Sequence, residues 1–279
     1  MINEEIAAKF REQGFVYVKE ALPREEALAY RKKIEELSGI DSTNFDSFEG
    51  KGDLTAKLSG KKNYRLYVKP GMVSANKEFW NLPAHPNIVK HARMIMGEQV
   101  KFLQNDSVAA GFSSPGWHRD SVHRTFGVGA DWDESRNPYQ LIRVGIYLQS
   151  YEESQFKFGV IPGSHKRESS FMQMERKQKW LTPLRSIVNG QDLFAGKGKW
   201  FPTEPGDAIF FDPRLLHCGS YITGPKYSMY LAYGIENEHY SNHYKYYMYD
   251  RNDHPYERMQ EGLLSKLAEI GVKPDEVLG

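Results

Sequence analysis

The sequence predicts a mainly β domain with flanking helices, a sandwich or barrel of short strands. Two observations carry this. From Val100 onward, β-prone runs at 100–111, 139–149, 157–161, 207–212 and 226–234 are divided by Gly, Pro and Asp. Short strands separated by turn chemistry are the pattern of antiparallel sheets that close on themselves. Before Val100, most periodic segments follow helical spacing instead.

Taken in order, residues 3–13 read as a short helix ended by Gly14, and Phe15-Val-Tyr-Val18 as a strand of branched and aromatic residues. Pro23 opens a second helix at a favoured first-turn position, with Glu25 and Glu26 at the positive end of its dipole. Leu28, Ile34 and Leu37 are expected on its buried face, and Gly39 closes it. Residues 40–76, rich in Gly, Ser, Lys and Asp, read as a long surface excursion with a short strand at Tyr64-Arg-Leu-Tyr67. Residues 86–96 are expected to be helical, and a last helix falls near 255–270. No linker divides the chain, so 1–279 is expected to be a single domain.

Composition removes several classes of partner. Lys and Arg number 37 against 36 Asp and Glu, a balance that gives no reason to expect nucleic acid or an acidic membrane. Apolar runs such as Ala208-Ile-Phe-Phe211 fall far short of the ~20 residues that a membrane-spanning helix needs. The polar, acidic start Met1-Ile-Asn-Glu-Glu-Ile does not have the form of a secretory signal, and Glu276-Val-Leu-Gly279 is not a targeting address. With one cysteine, Cys218, neither an internal disulfide nor a Cys-based zinc site is expected. The expectation is a cytoplasmic monomer or homodimer.

The chemistry concentrates in Pro115-Gly-Trp-His-Arg-Asp120. In extended backbone, side chains two apart share a face, so His118 and Asp120 can converge while Arg119 faces away. An imidazole beside a carboxylate is a partial shell for a first-row divalent metal, and it needs a third ligand from elsewhere. His217 follows the turn Glu204-Pro-Gly-Asp207 and the run Ala208–Phe211. Nine residues on stands Lys226, with Ser228 on the same strand face. A cation beside a hydroxyl suits a carboxylate. Two His and one carboxylate also suit a zinc hydrolase, and a non-catalytic binding protein is a further alternative.

The order of these segments resembles the phytanoyl-CoA dioxygenase family of iron(II)- and 2-oxoglutarate-dependent oxygenases. The resemblance runs over roughly residues 5–235 and rests on Glu12-Gln-Gly-Phe-Val-Tyr-Val18, Trp117-His-Arg-Asp120, Val160-Ile-Pro-Gly-Ser-His165, Pro205-Gly-Asp207 and Leu216-His217. It implies a double-stranded β-helix, or jelly roll, with helices on one side. It also implies iron(II) on His118, Asp120 and His217, 2-oxoglutarate as cosubstrate, molecular oxygen and a small-molecule substrate. Lys226 stands where the family usually has Arg, and with Ser228 it would hold the distal carboxylate of 2-oxoglutarate. Gln104 matches a position able to contact the cosubstrate, and Arg143 is a second cation able to assist.

Other positions have two readings each. Arg143 is a charge within the apolar strand Leu141–Tyr147, either a carboxylate partner for a bound molecule or half of an internal ion pair. Tyr147 shares its parity and lines a barrel or simply fills the core. His123, Arg124, Tyr64, Arg65 and Tyr67 are candidates for a substrate wall or ordinary surface. The tyrosines at 240, 244, 246, 247 and 249 are a lid, a dimer patch or packing, with packing the default. Gln155-Phe-Lys-Phe158 replaces the family's usual Asn-Gly-Pro-Leu.

Overall fold

The structure, a computed structural model, describes residues 2–44, 47, 66–112, 116–166, 198–251 and 256–275. Their strands pair, all antiparallel, into two sheets. β1 (Phe15–Val18), β2 (Leu66–Pro70), β3 (Lys101–Gly111), β4 (Leu141–Tyr147), β7 (Ala208–Phe211) and β9 (Lys226–Gly234) form the larger sheet, in the order β1-β7-β4-β9-β3-β2. The smaller sheet is β6 (Lys199–Pro202), β5 (Lys157–Val160) and β8 (His217–Gly219), in that order.

Alternation along the larger sheet divides its two faces. Ile142, Val144 and Ile146 of β4 and Met229, Leu231 and Tyr233 of β9 belong to a core that also takes in helical side chains. These come from α2 (Arg24–Ser38), α4 (Pro86–Met96) and α7 (Glu261–Glu269), with α1 (Ile2–Gln13), α3 (Met72–Ala75) and α5 (Tyr151–Ser154) as further helices in chain order. The opposite face carries Phe15, Tyr147, Ile209 and Phe211, which meet Phe158 and Val160 of the smaller sheet. This is the jelly roll with helices on one side that the sequence implies. Burying each large side chain contributes roughly 1.5–3 kcal/mol.

The turn at Glu204-Pro-Gly-Asp207 locks β7 to β1. Gly206 has φ +95°, and a Cβ there would lie 2.2 Å from the Leu22 carbonyl oxygen, so only glycine fits. The Asp207 carboxylate accepts from the Tyr17 hydroxyl and from the backbone N–H groups of Glu20 and Glu204.

Several expectations change. On α2 the buried face is Ala27, Tyr30 and Ile34, while Leu28 is 39% and Leu37 45% exposed. At about 100° per residue, positions 27, 30 and 34 stay on one side and 28 turns away from it, whereas Leu37 keeps to that side and is exposed because it falls in the last turn, which ends at Ser38. Pro23 is the residue before the helix, which starts at Arg24, and Gly39 closes it in the left-handed conformation with its N–H on Glu35. The last helix begins only at Glu261. Much of the expected excursion, with Tyr64 and Arg65, lies outside the described residues, and β2 begins at Leu66. Short β6 and β8 were not expected as strands. Nor was the helical run α6 (Glu238–Lys245), which continues as a π-helical turn over Tyr246–Asp250. Its tyrosines individually favour strands, and the hydrogen-bonding Asn237 cap overrides them.

Candidate metal centre

His217 opens β8, and His118 pairs with it across an isolated bridge. The His118 N–H donates to the His217 carbonyl at 2.9 Å, and the His217 N–H to the His118 carbonyl at 3.0 Å. Two chain segments ninety-nine residues apart in sequence numbering (118 and 217) are thereby fixed in register.

The Pro-Gly-Ser-His run holds that register from behind. Ser164 Oγ accepts from the Leu216 N–H at 2.8 Å, and the Ile161 N–H donates to the Leu216 carbonyl at 3.0 Å. Arg119 does face away from the triad, into the protein. It is 1% exposed and donates to the carbonyls of Arg214 and Ser164. The N–H groups of Asp120 and Ser121 both donate to the Pro213 carbonyl.

The result is a converging donor set. Ligand atoms of His118, Asp120 and His217 all lie within 4.8 Å of one another. His118 Nε2 is 3.6 Å from Asp120 Oδ1, and His217 Nε2 is 3.8 Å from Asp120 Oδ2. Each imidazole contacts a carbonyl through Nδ1, His118 on Gly116 at 2.7 Å and His217 on Leu215 at 2.9 Å. A carbonyl only accepts, so Nδ1 carries the proton and Nε2 presents its lone pair to the shared space.

Electrostatics keep Asp120 and His217 in their ligating forms. Burial opposes charge on Asp120, yet the neighbouring His217 ring and the Arg143 guanidinium hold its carboxyl well below the usual range. Burial, with His118 adding to it, pushes His217 down to about 3. At neutral pH the set therefore holds one carboxylate and a neutral His217. Two imidazoles and one carboxylate on one side of an ion leave positions open on the other.

Arg143 is an internal partner of this set. Its Nε lies 3.5 Å from Asp120 Oδ2, and its Nη1 donates to the Asn105 carbonyl. That carbonyl is available because β3 is irregular. Leu103 pairs with Ala232 but Ser107 pairs with Tyr230, so β3 carries extra residues between them. Gln104, within this bulge, is not brought to the triad. Its amide donates to Ser74 Oγ at 3.2 Å and to the Glu257 carbonyl at 2.6 Å. The reason is local: the bulge sends the side chain of Asn105, not Gln104, toward the Arg143 side.

Asn105 leads to residues that the sequence did not single out for the site. Its Nδ2 donates to His243 Nε2 at 2.9 Å, and its Oδ1 accepts from the Tyr256 hydroxyl at 3.2 Å. His243 packs on Tyr247 with ring centroids 4.6 Å apart, and the Tyr247 hydroxyl donates to the Asp120 carbonyl at 3.0 Å. The aromatic stretch after β9 thus reaches the backbone of the metal centre, while Tyr240 and Tyr244 serve as packing.

Lys226 and Ser228 lie on the inner face, beside Tyr147 in register. Lys226 is 2% exposed, and its Nζ donates to the Tyr230 hydroxyl at 3.2 Å and sits 4.9 Å from the centre of the Phe156 ring. Ser228 Oγ donates to the Ala109 carbonyl at 3.3 Å. The hydroxyl beside the ammonium is therefore that of Tyr230, two residues further along the same face, where strand parity alone points to it. Of the remaining candidates, His123 and Arg124 are exposed, Tyr67 is buried with its hydroxyl on Met72, and Cys218 is a buried thiol pushed up to about 12 by burial.

The sequence profile of phytanoyl-CoA dioxygenase (PhyH) matches residues 10–227. The chain belongs to the phytanoyl-CoA dioxygenase family. This family member is thereby a 2-oxoglutarate-dependent dioxygenase, and solved structures share its fold. The epimerase SnoN from nogalamycin biosynthesis, described as non-heme and alpha-ketoglutarate-dependent, aligns with TM-score 0.55 and 17% identity over 84% of this chain and 83% of its own. HygX from Streptomyces hygroscopicus, with nickel, 2-oxoglutarate and hygromycin B bound, aligns with TM-score 0.57 and 17% identity over 82% and 86%. EctD from S. alaskensis, with 2-oxoglutarate and 5-hydroxyectoine, aligns with TM-score 0.53 and 18% identity over 82% and 75%. No curated protein sequence matches the dioxygenase chain. No helix among its described residues is long and apolar enough to cross a membrane.

Proposed function

We propose that this dioxygenase binds iron(II) through His118, Asp120 and His217. It oxidises an unactivated C–H bond of a small-molecule substrate, most simply by hydroxylation, and releases succinate and carbon dioxide. When bound, iron(II) and 2-oxoglutarate supply the oxidising power with molecular oxygen. The protein supplies binding, orientation and exclusion of water.

The observation that carries this proposal is Lys226. A fully buried ammonium is costly without a partner anion, and among the described residues only a hydroxyl and two aromatic faces meet it. It lies on the interior face that also carries Arg143, the partner of Asp120. A diacid bound at the metal through one end would bring its other carboxylate to this cation. Arg143 is less suited to that task, because Asp120 already neutralises it.

Each protein group then has a defined task. Nδ1 of His118 and of His217 is tied to backbone, so both rings keep their orientation. Asp120 would hold the metal through a carboxylate where a halide would otherwise have to bind, which would favour hydroxylation or desaturation over halogenation. Phe158 and Phe211, packed on the His217 ring at 5.5 and 4.6 Å between centroids, keep water from that side.

The relatives in complex hold hygromycin B and 5-hydroxyectoine, both small molecules, in keeping with a small substrate here. Residues 1–279 are proposed to be one catalytic domain, cytoplasmic, acting as a monomer or homodimer. The test is 2-oxoglutarate turnover by the iron-loaded protein across a panel of small molecules. Oxygen uptake matched by succinate, and raised by the true substrate, is the expected result. Metal-dependent hydrolysis with neither would refute the proposal.

A further inference from the structure

The resemblance assigns the distal carboxylate of 2-oxoglutarate to one cation and a serine. The structure does not leave that serine free, since Ser228 Oγ is directed to the Ala109 carbonyl. One tyrosine meets Lys226 instead, and a second lies close to the first. Tyr230 lies two residues beyond Ser228 on the same face and is the hydrogen-bond partner of Lys226 Nζ at 3.2 Å. Tyr147, opposite Ser228 in register, is 0% exposed, and its hydroxyl has no hydrogen-bond partner among the described residues.

Gly145 brings the two phenols together. It pairs with Tyr230 across β4 and β9. A Cβ at Gly145 would lie 3.2 Å from Tyr230 Cε1 and 3.3 Å from the Tyr147 oxygen. Both tyrosines therefore border the same small space, which any larger residue at 145 would fill.

We infer that Tyr230 and Tyr147 complete the distal-carboxylate site, each donating its hydroxyl to the carboxylate held by Lys226. The inference rests on the assignment of Lys226 made above. The hydrogen-bond inventory supports it. Lys226 has three N–H donors and gives one to Tyr230. Tyr230 accepts that bond, which leaves its own proton to donate. Tyr147 holds a buried donor with no acceptor among the described residues, a condition costing roughly 1–3 kcal/mol that a phenylalanine would avoid. Its hydroxyl is therefore hard to explain by folding alone. Burial keeps the Tyr147 phenol protonated, its pKa well above the usual value.

An ammonium is a point charge without the planar fork of arginine. Two fixed phenols beside it restore direction to carboxylate binding. Tyr230 also separates the two cations of the interior, its ring centre lying 5.7 Å from Lys226 Nζ and 5.7 Å from Arg143 Cζ. The anion is thereby directed to Lys226, which no acid among the described residues neutralises.

Calorimetric titration of the nickel(II)-loaded protein tests this without turnover. The probes are 2-oxoglutarate and 2-oxobutyrate, which keeps the metal-chelating end but has no distal carboxylate. Tyr230→Phe and Tyr147→Phe are each expected to weaken 2-oxoglutarate about tenfold, the scale of one hydrogen bond to a charged group. Neither is expected to change 2-oxobutyrate binding or the nickel content. Lys226→Met is expected to weaken 2-oxoglutarate more than either. Wild-type 2-oxoglutarate affinity in both phenylalanine variants, with Lys226→Met weakened, overturns the inference and leaves Lys226 as the anchor. Equal weakening of both probes also overturns it, since the effect then acts through the metal or the fold. Wild-type affinity in Lys226→Met overturns the assignment of Lys226 and the inference with it. The two tyrosines are tested separately, so loss of folding in one variant, read from its melting curve, leaves the other decisive.

Discussion

Arg143 Nε lies 3.5 Å from Asp120 Oδ2, while Asp120 Oδ1 lies 3.6 Å from His118 Nε2. Oδ2 also lies 3.8 Å from His217 Nε2, so the carboxylate is shared between both imidazoles and a fixed cation. Arg143 thereby steadies the group that Asp120 would offer to a metal.

Replacing Arg143 by Gln should therefore weaken the metal site without removing a ligand. Groups that orient metal ligands typically contribute about 10–100-fold in affinity. Titration of the apoprotein with manganese(II) is expected to show a loss of that size. Unchanged affinity would mean that Arg143 only fills space.

Ser164→Ala should loosen the strand that carries His217. Its Oγ accepts from the buried Leu216 N–H at 2.8 Å, and leaving that donor without a partner costs roughly 1–3 kcal/mol. Urea unfolding is expected to shift by that amount, with metal affinity falling alongside. A stability equal to wild type would remove the Pro-Gly-Ser-His run from this supporting role.

Gly206→Ala is expected to be more disruptive than its size suggests. The new methyl group would press on the Leu22 carbonyl oxygen at a residue with φ +95°, and strain of this kind costs on the order of 1–3 kcal/mol before any clash is relieved. Thermal unfolding reads the loss, and an unchanged melting temperature would contradict the close approach.

The jelly roll was legible because the longer strands lie in the larger sheet, where parity and turn residues mark them. The candidate ligands were legible in part: His118 and Asp120 stand two apart, a spacing that extended backbone turns to one face, and the order of segments that resembles the family marked His217. β6 and β8 were not legible: β8 has only three residues, and β6 sets two aromatics between Lys199 and Pro202 instead of a run of β-prone residues. The bulge in β3 was invisible, and it decides that Asn105 and not Gln104 joins the Arg143 network. His243 and Tyr247 lay hidden in a tyrosine-rich run whose helical form depends on tertiary packing and the Asn237 cap. Tyr230 was within reach of strand parity, four residues after Lys226.

Proton linkage gives a pH prediction for the metal-free protein. Burial is the main cause pushing both His217 and His243 from 6.5 down to about 3. As pH falls below 6.5 the unfolded chain takes up protons that the folded chain refuses, so these two groups withdraw stability down to about pH 3. Asp106 and Asp131, raised chiefly by burial, act in the opposite sense. His243→Gln isolates one histidine: proton uptake on unfolding near pH 5 should drop by about one. No change in uptake would show that His243 is already protonated in the folded protein.

The most direct measurement is anaerobic visible absorption of the iron(II)-loaded protein titrated with 2-oxoglutarate. A charge-transfer band that saturates with one bound cosubstrate, and is absent in His217→Ala, is the predicted result. Iron that stays spectroscopically silent to 2-oxoglutarate, or a band that survives loss of His217, would contradict the proposed centre.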